Sequence, residues 1–191
     1  MSDIIDTSVV PDDELVTIHN MTNSSVAYHV DSLGNLRREL PPKMGASIRV
    51  PAGELRQLNY ELGGSVLLHD YICVENEALA REFGITSDDK EYTWQMKDVK
   101  AALTTDDIAV LEDAMDFAPD GIKETLAQEA VNMEIPDSNR RRVISDATSY
   151  DIDTMIKNKQ AIAKDTSASA DGTKAATVFR STTKKRRVAT A

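Results

Sequence analysis

Apolar and polar residues alternate in four short runs between Val16 and Val50, and the alternation then gives way to helical spacing. Val16 and Ile18 are apolar at spacing two, as are Val26, Tyr28 and Val30. Leu36, Arg38 and Leu40 repeat the pattern with one polar slip, and Ala46, Ile48 and Val50 close the series. Period two puts alternate side chains on one face, so each run is a strand with one buried side. Asn23-Ser24-Ser25, Asp31-Ser32-Leu33-Gly34-Asn35 and Pro41-Pro42-Lys43 separate the runs with turn formers. The expectation is an antiparallel meander of four strands, too small to stand without a second layer.

After Pro51 the spacing is that of helices. Leu55, Leu58 and Leu62 share one helix face, and Gly63-Gly64 ends it. A short apolar helix from Ser65 and a short strand at Ile72-Cys73-Val74 follow. Asn76 is placed to cap a helix that Gly84 ends, with Ala78, Leu79 and Phe83 inward. Thr86–Lys90 reads as a loop, and Tyr92, Trp94 and Met96 as an extended segment. Further helices are expected at Asp98–Leu103, after a Thr105 cap with Ile108, Leu111 and Met115 inward, and from Ile122 through Leu126, Ala130 and Met133. Two more follow, at Ser138–Ala147 after Pro136-Asp137, and from Ser149 or Asp151 with Ile152, Met155, Ile156 and Ile162 on one side. The fold class is therefore α+β. It divides into a flexible acidic arm at 1–13, a small antiparallel β subdomain at 14–51, a helical domain at 52–165 and a basic tail at 166–191.

Charge is divided by position. The tail holds Lys174, Arg180, Lys184, Lys185, Arg186 and Arg187 against Asp171, a net of +5, which leaves −15 on residues 1–165 of a chain whose total is −10. An acidic body repels nucleic acid, while Lys184–Arg187 suits phosphates or an acidic protein surface. The tail is rich in Ser, Thr, Ala and Gly, with Val178-Phe179 its one apolar pair, and should be disordered alone. Arg140, Arg141 and Arg142 form a second basic run. Their helix and the next superficially resemble a helix-turn-helix, but the second begins Tyr150-Asp151-Ile152-Asp153 and would present acid to phosphates. Salt bridges to a neighbouring acidic subunit suit these arginines at least as well.

Nothing in the sequence points to catalysis, a cofactor or a metal site. His19, His29 and His69 are scattered, and Cys73 is the single cysteine, expected to be buried and inert. The acids at Asp106-Asp107, Glu112-Asp113 and Asp116 lack the alternation and central glycine of a calcium loop. Gly63-Gly64-Ser65 before a helix is a weak anion-site candidate that the helix stop already explains. There is no apolar signal core at the N-terminus and no long apolar run, so no membrane partner is expected. Tyr92, Trp94 and Met96 are the candidate interface anchors, because aromatic residues and Met concentrate in interface cores.

Val16-Thr17-Ile18-His19-Asn20, Gly63-Gly64-Ser65-Val66-Leu67-Leu68, Asp116-Phe117-Ala118-Pro119-Asp120-Gly121-Ile122 and Arg141-Arg142-Val143-Ile144 follow one another between Leu15 and Ile156. In that order they resemble small accessory proteins of tailed-bacteriophage particles. The resemblance implies a non-enzymatic virion subunit at the head, neck or head-tail connector, made in the host cytoplasm. It would dock on other virion proteins as a homo-oligomer or in a symmetric assembly, with its tail available for non-specific DNA contact. The alternative from another class is a nucleic-acid-binding regulator using the helix at 138–147 and the tail.

Overall fold

The computed structural model describes residues 9–85 and 92–170, the side chains of 165–170 excepted. Five strands precede or interleave with the first helices: β1 (Leu15–Asn20), β2 (Val26–Val30), β3 (Leu36–Leu40), β4 (Ser47–Pro51) and β5 (Ile72–Val74). Helices are α1 (Ala52–Tyr60), the short α2 (Gly64–Val66) running into a π-turn at Leu67–Tyr71, α3 (Glu77–Glu82), α4 (Met96–Thr104), α5 (Ala109–Phe117), α6 (Asp120–Met133), α7 (Ser138–Thr148) and α8 (Ile152–Ala170). The fold is α+β, with antiparallel strands first and helices after. Residues to Ile156 form one compact unit, and α8 continues from Lys157 as part of another.

The four expected strands are present, but they do not form a meander. β1 is the central strand of a three-stranded sheet ordered β4-β1-β5, while β2 and β3 make a separate hairpin. Ile18 is the pivot of the register, facing Ile48 on one side and Val74 on the other. Alternation reports which face a residue occupies and is silent on which strand lies beside it. The short run Ile72-Cys73-Val74 is unbroken by polar residues because both faces of β5 are covered. Ile72 and Val74 enter a cluster made by the strands, α1 and α3, whereas Cys73 packs against a second cluster built mainly from α4–α8. The sheet is thus not a subdomain of its own, since its inner face shares one core with Leu55, Leu58 and Leu79.

The polar slip in β3 has a structural cause. Arg38 lies on the same face as Leu36 and Leu40, and its Nε and Nη2 donate to the Glu54 carboxylate, each at 3.0 Å. Tyr28 of β2 donates to the same carboxylate at 2.7 Å. Glu54 is only 3% exposed, so a buried charge is held by a bidentate guanidinium and a phenol. Burial, reinforced by Glu54, pushes the Tyr28 phenol up. Asn20, at the end of β1, is the other polar node. Its Nδ2 donates to the carbonyls of Ser24 at 2.7 Å and Pro41 at 2.8 Å, and its Oδ1 accepts from the Thr22 amide at 2.8 Å.

Leu62 departs from the expected helix face and is fully exposed (106%). α1 stops at Tyr60, Glu61 is extended, and the helical phase is lost before Leu62. The stop is steric: a Cβ on Gly64 would lie 1.7 Å from the Leu58 carbonyl oxygen, so the chain crosses the end of α1 only with glycine there. The same geometry accounts for Gly63-Gly64 without an anion.

Other boundaries follow local chemistry. Asn76 caps α3, accepting from the Leu79 amide at 3.0 Å. Gln95 and Asp98 form a capping box at α4, so the helix begins at Met96 and the extended segment ends there. Thr105 does not cap α5: the cap position is Ile108, which offers no side-chain acceptor, and Asp107 just before it accepts from the Ala109 amide at 3.0 Å. Asp137 caps α7 and Asp151 caps α8. Met133, Met155 and Ile162, expected inward, are exposed. The expected loop at Thr86–Lys90 lies outside the described residues.

The end of the expected arm is tied to the body. Val10 is buried, the Gly53 amide donates to the Asp12 carbonyl at 3.0 Å, and Arg56 joins the Asp12 carboxylate, the Val10 carbonyl (2.8 Å) and both oxygens of Glu82 (2.7 and 2.8 Å). The Arg56 hydrogen bonds hold the Glu82 carboxyl below its ordinary value of 4.5. Its folded-state contribution is therefore present above that value and is lost as pH falls through the lower folded one. Hydrogen-exchange protection of the Gly53 amide should fall in that acidic window. In Arg56→Ala it should be weak at every pH.

Gly121 sits where α6 meets the π-turn, and a Cβ there would lie 2.5 Å from the Asp70 carbonyl oxygen and 2.9 Å from Thr22 Cγ2. Gly121→Ala should destabilise the chain by about 1–3 kcal/mol in chemical denaturation, the usual cost of overpacking.

Candidate functional site

A cleft of about 400 Å³ lies beside Trp94, next to the three-stranded sheet. One wall is the end of β1 with Asn20 and Met21, and another is β5 with Cys73 and Val74. Thr93, Trp94 and Gln95, which lead into α4, close the third side. Backbone geometry sets this segment: the Trp94 amide donates to the Tyr92 carbonyl at 2.7 Å, and the Gln95–Asp98 box fixes where α4 begins.

The three expected anchors have different roles. Tyr92 is buried, and its hydroxyl donates to Asp113 Oδ2 at 2.7 Å, which ties the segment to α5. Its ring centroid lies 5.9 Å from that of Trp94, tilted by 49°, within the range of favourable aromatic pairs. Trp94 and Met96 are half-buried, packed against the second core. Trp94 alone of the three lines the cleft.

At the mouth of the cleft, His19 Nε2 stands 3.8 Å from Glu75 Oε2. Cys73 is half-buried rather than buried as expected, because β5 turns it toward the cleft wall. The other two histidines are apart from this place: His29 lies 3.6 Å from Asp31, and His69 contacts the Phe83 carbonyl at 3.0 Å. Among the described residues, no group of three His, Cys, Asp or Glu side chains is arranged to hold a metal ion. Nor is any helix among them long and apolar enough to cross a membrane.

Two arginines of the basic run on α7 are engaged within the fold, and the third is exposed. Arg140 is 7% exposed, donates to the Ala102 carbonyl at 3.0 Å and to the Thr105 carbonyl, and pairs with Asp137 at 3.2 Å. Arg141 joins Asp153 of α8 and the carbonyls of Ile135 (2.7 Å) and Pro136 (2.8 Å). Arg142 is exposed and reaches Asn139 Oδ1 at 2.9 Å. Two of the three arginines thus bind carbonyls left over at helix and loop ends of their own chain, a task the rigid guanidinium fork suits. Lys174, Arg180, Lys184, Lys185, Arg186 and Arg187 lie outside the described residues.

A further acidic neighbourhood, unmarked in the sequence, lies where the π-turn meets α6. The Tyr71 hydroxyl donates to Glu124 at 3.0 Å, and burial, with that carboxylate's help, pushes the phenol up to about 12. Burial and the Asp120 charge raise the Asp70 carboxyl. The sequence signal was only the spacing of Asp120 and Glu124 on one helix face.

No protein-family model matches the chain, and no curated protein and no solved structure matches it.

Arg140→Ala should cost roughly 1–3 kcal/mol of stability, because the Ala102 and Thr105 carbonyls lose their donor. Arg142→Ala should lie within about 0.5 kcal/mol of the parent, as for most exposed positions. Thermal and urea unfolding of the two variants measure the contrast.

Proposed function

We propose that this chain is a non-enzymatic structural or interaction subunit of a phage particle, at the head or neck, which docks on neighbouring virion proteins. The observation that carries the docking part of this reading is Trp94 on the wall of an open cleft of about 400 Å³. A half-buried tryptophan beside a concavity offers a large, rigid apolar surface, and such residues dominate the energetics of protein interfaces. The cleft is wide enough for a side chain or loop of a partner, and its His19–Glu75 rim supplies polar contacts around the apolar wall. The particle itself enters through the resemblance of Leu15–Ile156 to accessory proteins of tailed phages. The strongly acidic body suits a surface kept off packaged DNA. The regulator alternative loses Arg140 and Arg141, whose guanidinium groups are already engaged within the fold.

Trp94 is the chain's single tryptophan, so its emission reports this cleft alone. The chain should sediment with purified particles of the phage that encodes it, and particle binding should blue-shift Trp94 emission and reduce its quenching by acrylamide. Trp94→Ala should weaken that association at least about tenfold, as loss of an interface hot spot does, while the far-ultraviolet circular dichroism stays that of the parent. Absence of the chain from every purified particle would overturn the virion reading. Unchanged association of Trp94→Ala would overturn the placement of the interface.

A further inference from the structure

A second open groove, of about 430 Å³, runs beside β2 and is separate from the Trp94 cleft. Ala27, Tyr28 and His29 line one side of it, and Leu58, Leu62 and Leu67 of the α1–α2 region line the other. β2 pairs with β3 and with no other strand among the described residues, so the groove follows the edge of β2 that faces away from β3. An unpaired strand edge beside an apolar trough is a template for an added strand. Leu62 stands fully exposed on its rim, held there by the Gly63-Gly64 crossing. The lining is acidic, with the carboxylates of Asp31 and Glu61 and one histidine.

The chain itself contains a segment with the matching chemistry. Thr177-Val178-Phe179-Arg180-Ser181-Thr182 is the part of the tail richest in β-branched and aromatic residues, and Lys184–Arg187 follows it. Phe179 suits the apolar surface at Leu62 and Leu67, and Arg180 and the four cations suit the Asp31–Glu61 rim. The rim's own charge disfavours a symmetric pairing of two such grooves, which would bring like charges together.

We propose that residues Thr177–Thr182 of one copy add as a strand to the β2 edge of a second copy, with Phe179 against the trough at Leu62 and Leu67 and Val178 on the opposite face of the added strand. Each copy then gives a tail and accepts one. Such a head-to-tail contact closes into a ring or extends as a chain, according to the rotation between copies. The inference stands apart from the Trp94 interface, since it uses another face and a second copy of this chain.

Analytical ultracentrifugation of the full chain over a wide range of concentration tests it. The parent should self-associate, as a dimer with both tails exchanged or as larger species, and more weakly as salt is raised. Phe179→Asp, which spoils the tail, and Leu62→Lys, which spoils the trough at an exposed position, should each sediment as monomers with unchanged thermal unfolding. Mixed together, the two variants should form a 1:1 heterodimer, because one retains an intact trough and the other an intact tail. A parent that is monomeric throughout would overturn the proposal, as would association that survives either substitution. Two monomeric variants that fail to complement each other would overturn it as well.

Discussion

The β2–β3 hairpin belongs to a different sheet from β1, β4 and β5, so no shared ladder fixes its place. Side chains do, and Glu54 is the chief of them. A two-stranded hairpin alone is marginal in water. Here one carboxylate at the start of α1 receives a hydrogen bond from β2 and two from β3, and the apolar faces of both strands close over it. Breaking such an arrangement on one side leaves a buried group without its partner, which costs more than the intact arrangement contributes. Asn20 performs the complementary task at the other end, joining the last residue of β1 to the carbonyl of Pro41 just beyond β3. Between them these two residues set the relation of hairpin to sheet, and with it the groove beside β2.

Much of this was legible in the sequence. The strands at Leu15–Asn20, Val26–Val30, Leu36–Leu40 and Ser47–Pro51 follow from alternation, and the caps at Asn76, Asp137 and Asp151 follow from side chains that accept from nearby amides. Strand order was not legible, because period two carries no information about neighbours. Neither was the meaning of Arg38, whose apparent slip in the pattern is a charged residue facing inward to meet Glu54. Leu62 shows the reverse error: a residue in phase with Leu55 and Leu58 is released from that phase by a stop one turn too early, and the cause is a contact between Gly64 and the Leu58 carbonyl that spacing does not reveal.

The candidate site was legible only in part. Aromatic residues at Tyr92 and Trp94 drew attention to the segment that borders the cleft, but only the fold separates their tasks, with Tyr92 bound to Asp113 and Trp94 on the cleft. The arginine run left two readings open for a physical reason. Sequence shows charge, while the availability of that charge depends on which carbonyls and carboxylates lie near, and Arg140 and Arg141 are satisfied by groups brought in from α4, the α4–α5 turn and α8.

The central position of β1 also bears on how the chain is made. Ile18 faces Ile48 and Val74, so both flanks of an early strand are supplied by later sequence. During synthesis from the N-terminus, β1 leaves the ribosome with neither edge covered, and its second flank arrives only with β5. Contacts between residues distant in sequence form slowly, whereas α4–α8 draw on neighbours closer along the chain. The nascent protein thus passes through a stage in which the central strand of its sheet has both edges uncovered, and the three acids just before it, Asp12, Asp13 and Glu14, give that stretch the kind of charge that disfavours pairing with a second chain.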